Sequence, residues 1–200
     1  MRVALFGAAL AAVVATGSAY ADPATFDFSP LPNGTGTSFS LTSSGVTATF
    51  TGSGDPAGFL VEPSFFSGYS GSILYSPLGG VAGQTLTISF SQDVDNVSMF
   101  FARDSATATG GLDLTALLNG VPVGVDSFTG AFGVDAFPEG TLSFGGTSFD
   151  SIELTDSLAP YFAIGNVTVD TVTAVPTPAT LPLLLSGLIG LAWFRRRKAA

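Results

Sequence analysis

The chain has 200 residues, 46% of them hydrophobic and only 10% charged, with 25 Gly, 12 Pro and 18 Phe but neither Cys nor His. Those two absences exclude disulfides, Ser-His-Asp and Cys-His catalysis, and every zinc site built on imidazole or thiolate. All fifteen acids fall between Asp22 and Asp170 against Arg103 as the one base of that stretch, so the body carries about −14 and repels nucleic acid and anionic membrane surfaces.

The partners left for such a body are neutral glycans, divalent cations and other proteins. Lys198 is the sole lysine, which removes Ser-Lys and Schiff-base chemistry from the body. At the N-terminus Arg2 precedes an apolar stretch, Val3 to Val14, and Ala19-Tyr20-Ala21 has the small-x-small pattern a signal peptidase accepts. Residues 1–21 therefore read as a cleaved signal peptide, its cleavage set by Ala19 and Ala21, with the mature chain starting at Asp22. A retained anchor is the other reading, but the run is shorter than the roughly 20 residues of a spanning helix.

Residues 22–174 are ample for one domain with its own core. Short alternating runs separated by Gly, Pro, Asn and Asp predict an all-β body, a single β-sandwich or jelly roll. Phe26 and Phe28 alternate with Asp27. A turn at Pro30-Leu31-Pro32-Asn33-Gly34 leads to a run with Phe39 and Leu41. Gly45 to Thr51 puts Val46, Ala48 and Phe50 on one face. Residues 52–83 read as irregular and as the place for a ligand surface. Leu86, Ile88 and Phe90 alternate with Thr85, Thr87 and Ser89. Asp93 to Asn96 reads as a turn into a further strand, Val97 to Phe101. Leu112 to Leu118, Asn119-Gly120 and Val121 to Val125 form a type I′ hairpin, and Pro122 places its second strand at an edge. Phe149 to Thr155 and Ala163 to Val172 complete the set, with Val167 and Val169 facing one way.

Carboxylates are the one catalytic group remaining. A glycoside hydrolase needs two of them about 5–10 Å apart across a cleft, and nothing in the sequence brings Glu62, Glu139 or Glu153 opposite a chosen Asp. The body is thus read as non-enzymatic. Asp93-Val94-Asp95-Asn96 offers alternating oxygen donors, which makes Asp93 and Asp95 metal candidates for calcium, while the same residues are ordinary turn formers. No EF-hand or nonapeptide repeat accompanies them, and no cofactor is implied. Aromatic rings are the usual platform for sugars. Trp193 lies in the tail, so Tyr69 and Tyr75, in a Gly/Ser-rich stretch with Phe65 and Phe66, are the candidate ligand-binding residues; a surface loop anchoring itself is the alternative. Asn33, Asn96 and Asn166 match the N-glycosylation pattern, and Gly52-Ser53-Gly54 lacks the Lys-Ser or Lys-Thr of a phosphate loop.

The last segment, residues 175–200, has three ordered parts: Val175-Pro176-Thr177-Pro178-Ala179, an apolar run from Leu181 to Phe194, and the basic stop Arg195-Arg196-Arg197-Lys198. Even counted from Ala179 the run spans about 24 Å as a helix, short of a hydrocarbon core of about 30 Å. The positive-inside rule puts the body outside and the basic end in the cytoplasm. The tail resembles a PEP-CTERM sorting signal of Gram-negative bacteria and is similar to the variant named for a VPLPA motif, with Thr177 where the common form has Glu and the variant has Leu. That resemblance implies an exosortase-type membrane protease as partner, transient residence in the inner membrane, and transfer of the body to the cell surface or the extracellular matrix. There its work would be structural or adhesive, within extracellular polysaccharide. The body also loosely resembles jelly-roll ectodomains and carbohydrate-binding modules through Leu86 to Phe90 with Val97 to Phe101, the Asn119-Gly120 hairpin, and Ile152-Glu153-Leu154 with Ile164-Gly165-Asn166-Val167. Such ectodomains often carry Asp-Asn where this chain has Gly165-Asn166.

Overall fold

The computed structural model describes residues 22–53, 58–76, 84–103, 110–134, 137–158 and 161–172. Ala19, Ala21, the motif from Val175 to Ala179, the apolar run and the basic stop lie outside the described residues.

Among the described residues eleven strands form one antiparallel sheet, and no helix is found. They are β1 (Ala24–Phe26), β2 (Phe39–Ser43), β3 (Val46–Ser53), β4 (Leu60–Pro63), β5 (Ser72–Tyr75), β6 (Thr85–Arg103), β7 (Leu112–Leu118), β8 (Val121–Phe128), β9 (Ala131–Phe132), β10 (Pro138–Thr155) and β11 (Phe162–Thr171). The alternation seen in the sequence sets their faces. In β3 the residues Val46, Ala48 and Phe50 are buried while Thr47 and Thr49 reach outward, where their hydroxyls meet those of Thr42 and Ser40 at 2.9 and 2.8 Å.

Two long strands make this one sheet into two layers. The first part of β6 pairs with β3 and with Ser151–Thr155 of β10; the later part pairs with β11 and with Glu139–Gly145 of β10. One half is therefore β2-β3-β6-β10-β7-β8, and the other is β4-β5-β11-β6-β10, with β1 also on β11 and β9 on β10. Side chains of both halves share one core. Phe26 of β1 meets Phe50 of β3 edge-on at 6.5 Å, and Phe101 of β6 meets Phe128 of β8 at 6.2 Å. Burying each such ring stabilises the fold by about 1.5–3 kcal/mol, with about 0.5–1.5 kcal/mol more from ring geometry. The β-sandwich expected from the sequence is this architecture.

Three local expectations change. Asp93 to Asn96 is not a turn between strands but the bend of the continuous β6, where Val94 is fully buried and Asp93 and Asp95 point outward on either side. β10 answers the bend with register shifts between Gly145 and Ser151. The segment read as irregular contains the end of β3 and the β4–β5 pair. Strand β10 begins at Pro138, well before Phe149, because Gly140, Gly145 and Gly146 conceal its pattern. The hairpin stands as read: Asn119 and Gly120 take φ of 53° and 76°, as a type I′ turn demands, and β8 ends the strand order.

Arg103, the one body cation, is fully buried at the end of β6. Its guanidinium binds both carboxylate oxygens of Asp156, Nη2 at 3.0 Å, and donates from Nη1 to the Gly110 carbonyl at 2.8 Å. Asp156 Oδ1 also accepts the Leu158 amide at 3.0 Å. A planar fork on a carboxylate is the geometry in which a buried charge is tolerated; here it ties the end of β6 to the end of β10 and the approach to β7.

Candidate functional site: an aromatic cavity on the outer face

The outer face of the β11 half carries a second apolar cluster, separate from the main core: Phe66, Ile73, Ala102 and Ala163 are buried, with Tyr69, Tyr75, Phe100 and Phe137 packed against them. Its geometry follows from register. Tyr75 lies opposite Ala163, Ala163 opposite Ala102, and Ala102 opposite Glu139, so these four side chains form one row across β5, β11, β6 and β10. Two alanines in the middle of the row leave a trough. The segment between β4 and β5, Ser64 to Gly71, closes over it from above.

Hydrogen bonds at Gly68 and Tyr69 tie that covering segment to the sheet. The Gly68 amide donates to Glu139 Oε2 at 2.8 Å, and the Tyr69 hydroxyl accepts the Asn166 amide at 3.0 Å. The second contact exists because β11 bulges: between the Phe101–Ile164 and Met99–Val167 pairs, Gly165 and Asn166 face the single residue Phe100. The bulge leaves the Asn166 amide for Tyr69, whose ring stacks on Phe100 with centroids 4.8 Å apart and planes 19° apart. Gly165 is required beneath that ring, since a Cβ there would come within 2.7 Å of two of its carbons. An aspartate at this position would therefore press on the Tyr69 ring. Burial pushes the Tyr69 phenol above its ordinary pKa, the Asn166 amide opposes that shift, and the Asp27 charge adds to it.

Between the covering segment and the sheet lies a cavity of about 270 Å³. Phe65, Phe66, Tyr75, Phe137 and Tyr161 line it, over a base of Ala102 and Ala163 with Phe162 beside them, and among the described residues no charged side chain does so. Phe65 is 56% exposed at the mouth and meets Tyr75 edge-on at 5.6 Å. Ser76 also lines it, with its hydroxyl donating to Gln84. Glu139, next in the row beyond Ala102, is buried, and its Oε1 has no hydrogen-bond partner.

The residues singled out from the sequence fall in different places. Phe65, Phe66, Tyr69 and Tyr75 are gathered in one cluster, but Tyr75 lines the cavity while Tyr69 is committed to the bulge. Asp93 and Asp95 sit apart, on the exposed side of the β6 bend, and among the described residues no group of three or more acids is placed to hold a metal ion. Glu62 is on β4, Glu139 lies under Gly68, and Glu153 is on the part of β10 that pairs with β7. Sequence reasoning missed Phe137, Tyr161 and Glu139. Phe137 and Tyr161 stand beside Pro138 and Pro160, where loop composition hides an aromatic wall, and the alignment of Glu139 with Ala102 becomes visible only in the register.

No protein-family model and no curated protein sequence matches the chain. Among solved structures it is similar to the lectin domain of Lectinolysin complexed with Lewis B antigen, at 10% identity and a TM-score of 0.37 over 50% of this chain and 72% of that one. It is also similar to the family 32 carbohydrate-binding module of C. perfringens NanJ in complex with galactose, at 16% identity and a TM-score of 0.37 over 62% and 93%. A third likeness is to the catalytic domain of a GH87 α-1,3-glucanase in complex with nigerose, at 12% identity and 0.37, covering 63% of this chain and 28% of that one. At these identities and TM-scores none of them carries a ligand or an activity over to this chain.

Proposed function

We propose that the body is a non-catalytic binding module for neutral glycans, exported by its N-terminal signal and sorted to the cell surface or extracellular matrix by its C-terminal one. The observation that carries the reading is the aromatic cavity, with Phe65 exposed at its mouth and Tyr75 behind it. Ring faces bind sugars through their C–H surfaces without needing charge, and a body near −14 disfavours polyanionic ligands. The structural or adhesive role in extracellular polysaccharide then rests on this binding.

Affinity electrophoresis of the full chain through gels containing neutral polysaccharides tests the proposal. Retardation is expected, and Tyr75→Ala should abolish it; a mobility unchanged in every neutral polysaccharide removes the glycan reading. Sorting has its own test. Mass spectrometry of the exported protein should find a C-terminus near Pro178 when the sorting protease is present, and Arg195 to Ala200 retained when it is not.

A further inference from the structure

We infer that the cavity receives an uncharged acyl substituent, an acetyl group or one close to it in size, carried by the glycan, while the sugar ring itself stays at the mouth; this rests on the glycan-binding reading. A bare pyranose presents hydroxyls all round its ring, and each one buried without a partner weakens binding. Among the lining side chains the hydroxyl of Ser76 already donates to Gln84, and Tyr75 presents its phenol. Most of the rest of the described wall is hydrocarbon. An acyl group suits such a wall: its methyl end goes to the alanine base and its one carbonyl oxygen asks for a single donor, which the Tyr75 phenol supplies.

Sign agrees with this, and the volume of about 270 Å³, just below the roughly 300–1,000 Å³ of ordinary small-molecule pockets, admits a substituent. A carboxylated substituent is excluded, since no cation lines the cavity and the buried, half-partnered carboxylate of Glu139 stands next to Ala102 in the row. The mouth is apolar at Phe65, whose ring is 56% exposed there.

The test uses one neutral polysaccharide in three forms, titrated calorimetrically into the full chain: bearing both ester-linked and amide-linked acetyl groups, treated with mild alkali to remove the esters alone, and fully deacetylated. Binding should weaken about tenfold at the step that removes the recognised group, the effect of losing one to two buried methyl-sized units, and that step tells ester from amide. Phe65→Ala, a change at an exposed position, should reduce the difference between the forms. Equal affinity for all three forms overturns the acyl inference and leaves the glycan reading standing. Tighter binding of the deacetylated form overturns it too, and absence of binding to any form overturns both.

Discussion

The two faces of the β11 half are covered in different ways, and the difference explains where the cavity comes from. The inner face of β6 and β11, with Val97, Met99, Phe101, Ile164, Val167 and Val169, is met by strands of the other half, so side chains interdigitate at a fixed spacing and leave no room. Among the described residues the outer face is met by the segment from Ser64 to Gly71, tied down at Glu139 and at the β11 bulge, with Phe137 and Tyr161 beside it. A sheet covers a face evenly. A single chain segment covers it in places, and two alanines beneath it turn the remainder into a cavity. The inner face is therefore where substitutions should cost stability, and the outer face is where they should cost binding.

The largest effect is expected where the inner layer ends. Removing one partner of the Arg103–Asp156 pair leaves a buried charge alone, so Asp156→Ala should destabilise by about 3–5 kcal/mol, read from the urea midpoint. Arg103→Met with Asp156→Leu should recover most of that loss. A double variant as unstable as the single one would mean that the pair supplies more than mutual compensation. On the outer face, Gly165→Ala places a Cβ against the Tyr69 ring and should cost about 1–3 kcal/mol. Adding Tyr69→Ala removes the clash, so the double variant should be clearly less destabilised than the sum of the two. Strict additivity would show that Tyr69 does not rest on the bulge.

The inner face was the legible one. Period-two alternation in β3 and the first part of β6 gave both the strands and their buried sides, and Asn119-Gly120 gave a turn from backbone geometry alone. The bend of β6 was not legible, because Asp and Asn favour turns whatever their setting, and here a buried Val94 between two exposed acids keeps the strand continuous. The outer face was legible in part. A cluster of aromatic residues in a loop-rich stretch suggested Tyr69 and Tyr75 together, but their different fates depend on a bulge more than 90 residues away in sequence. The row that joins Tyr75, Ala163, Ala102 and Glu139 is a property of register across four strands, which no local pattern encodes.

At the mouth, the contrast between stability and binding is sharpest. Phe65 is more than half exposed, so Phe65→Ala should change stability by no more than about 0.5 kcal/mol while weakening glycan retardation several-fold, as exposed rings at binding sites do. A large loss of stability would make this ring part of the fold rather than of the site.

The smallest effect concerns the phenol of Tyr69. Its pKa is raised in the folded protein, chiefly by burial, above the ordinary value of 10.0. In alkali the unfolded chain therefore releases this proton first and holds fewer protons than the folded one, so unfolding becomes easier with each increment of pH. The stability this phenol contributes is complete below about pH 10 and declines as pH rises towards and through the folded value. Tyr69→Phe should flatten that decline, at the cost of a lower plateau at neutral pH, because the Asn166 amide then loses its acceptor. Urea midpoints measured from pH 8 to 11 separate the two consequences. Parallel curves for the variant and the parent would mean that the covering segment lifts before the phenol ionises, which would place the weak point of the outer face at Gly68 and Glu139 instead.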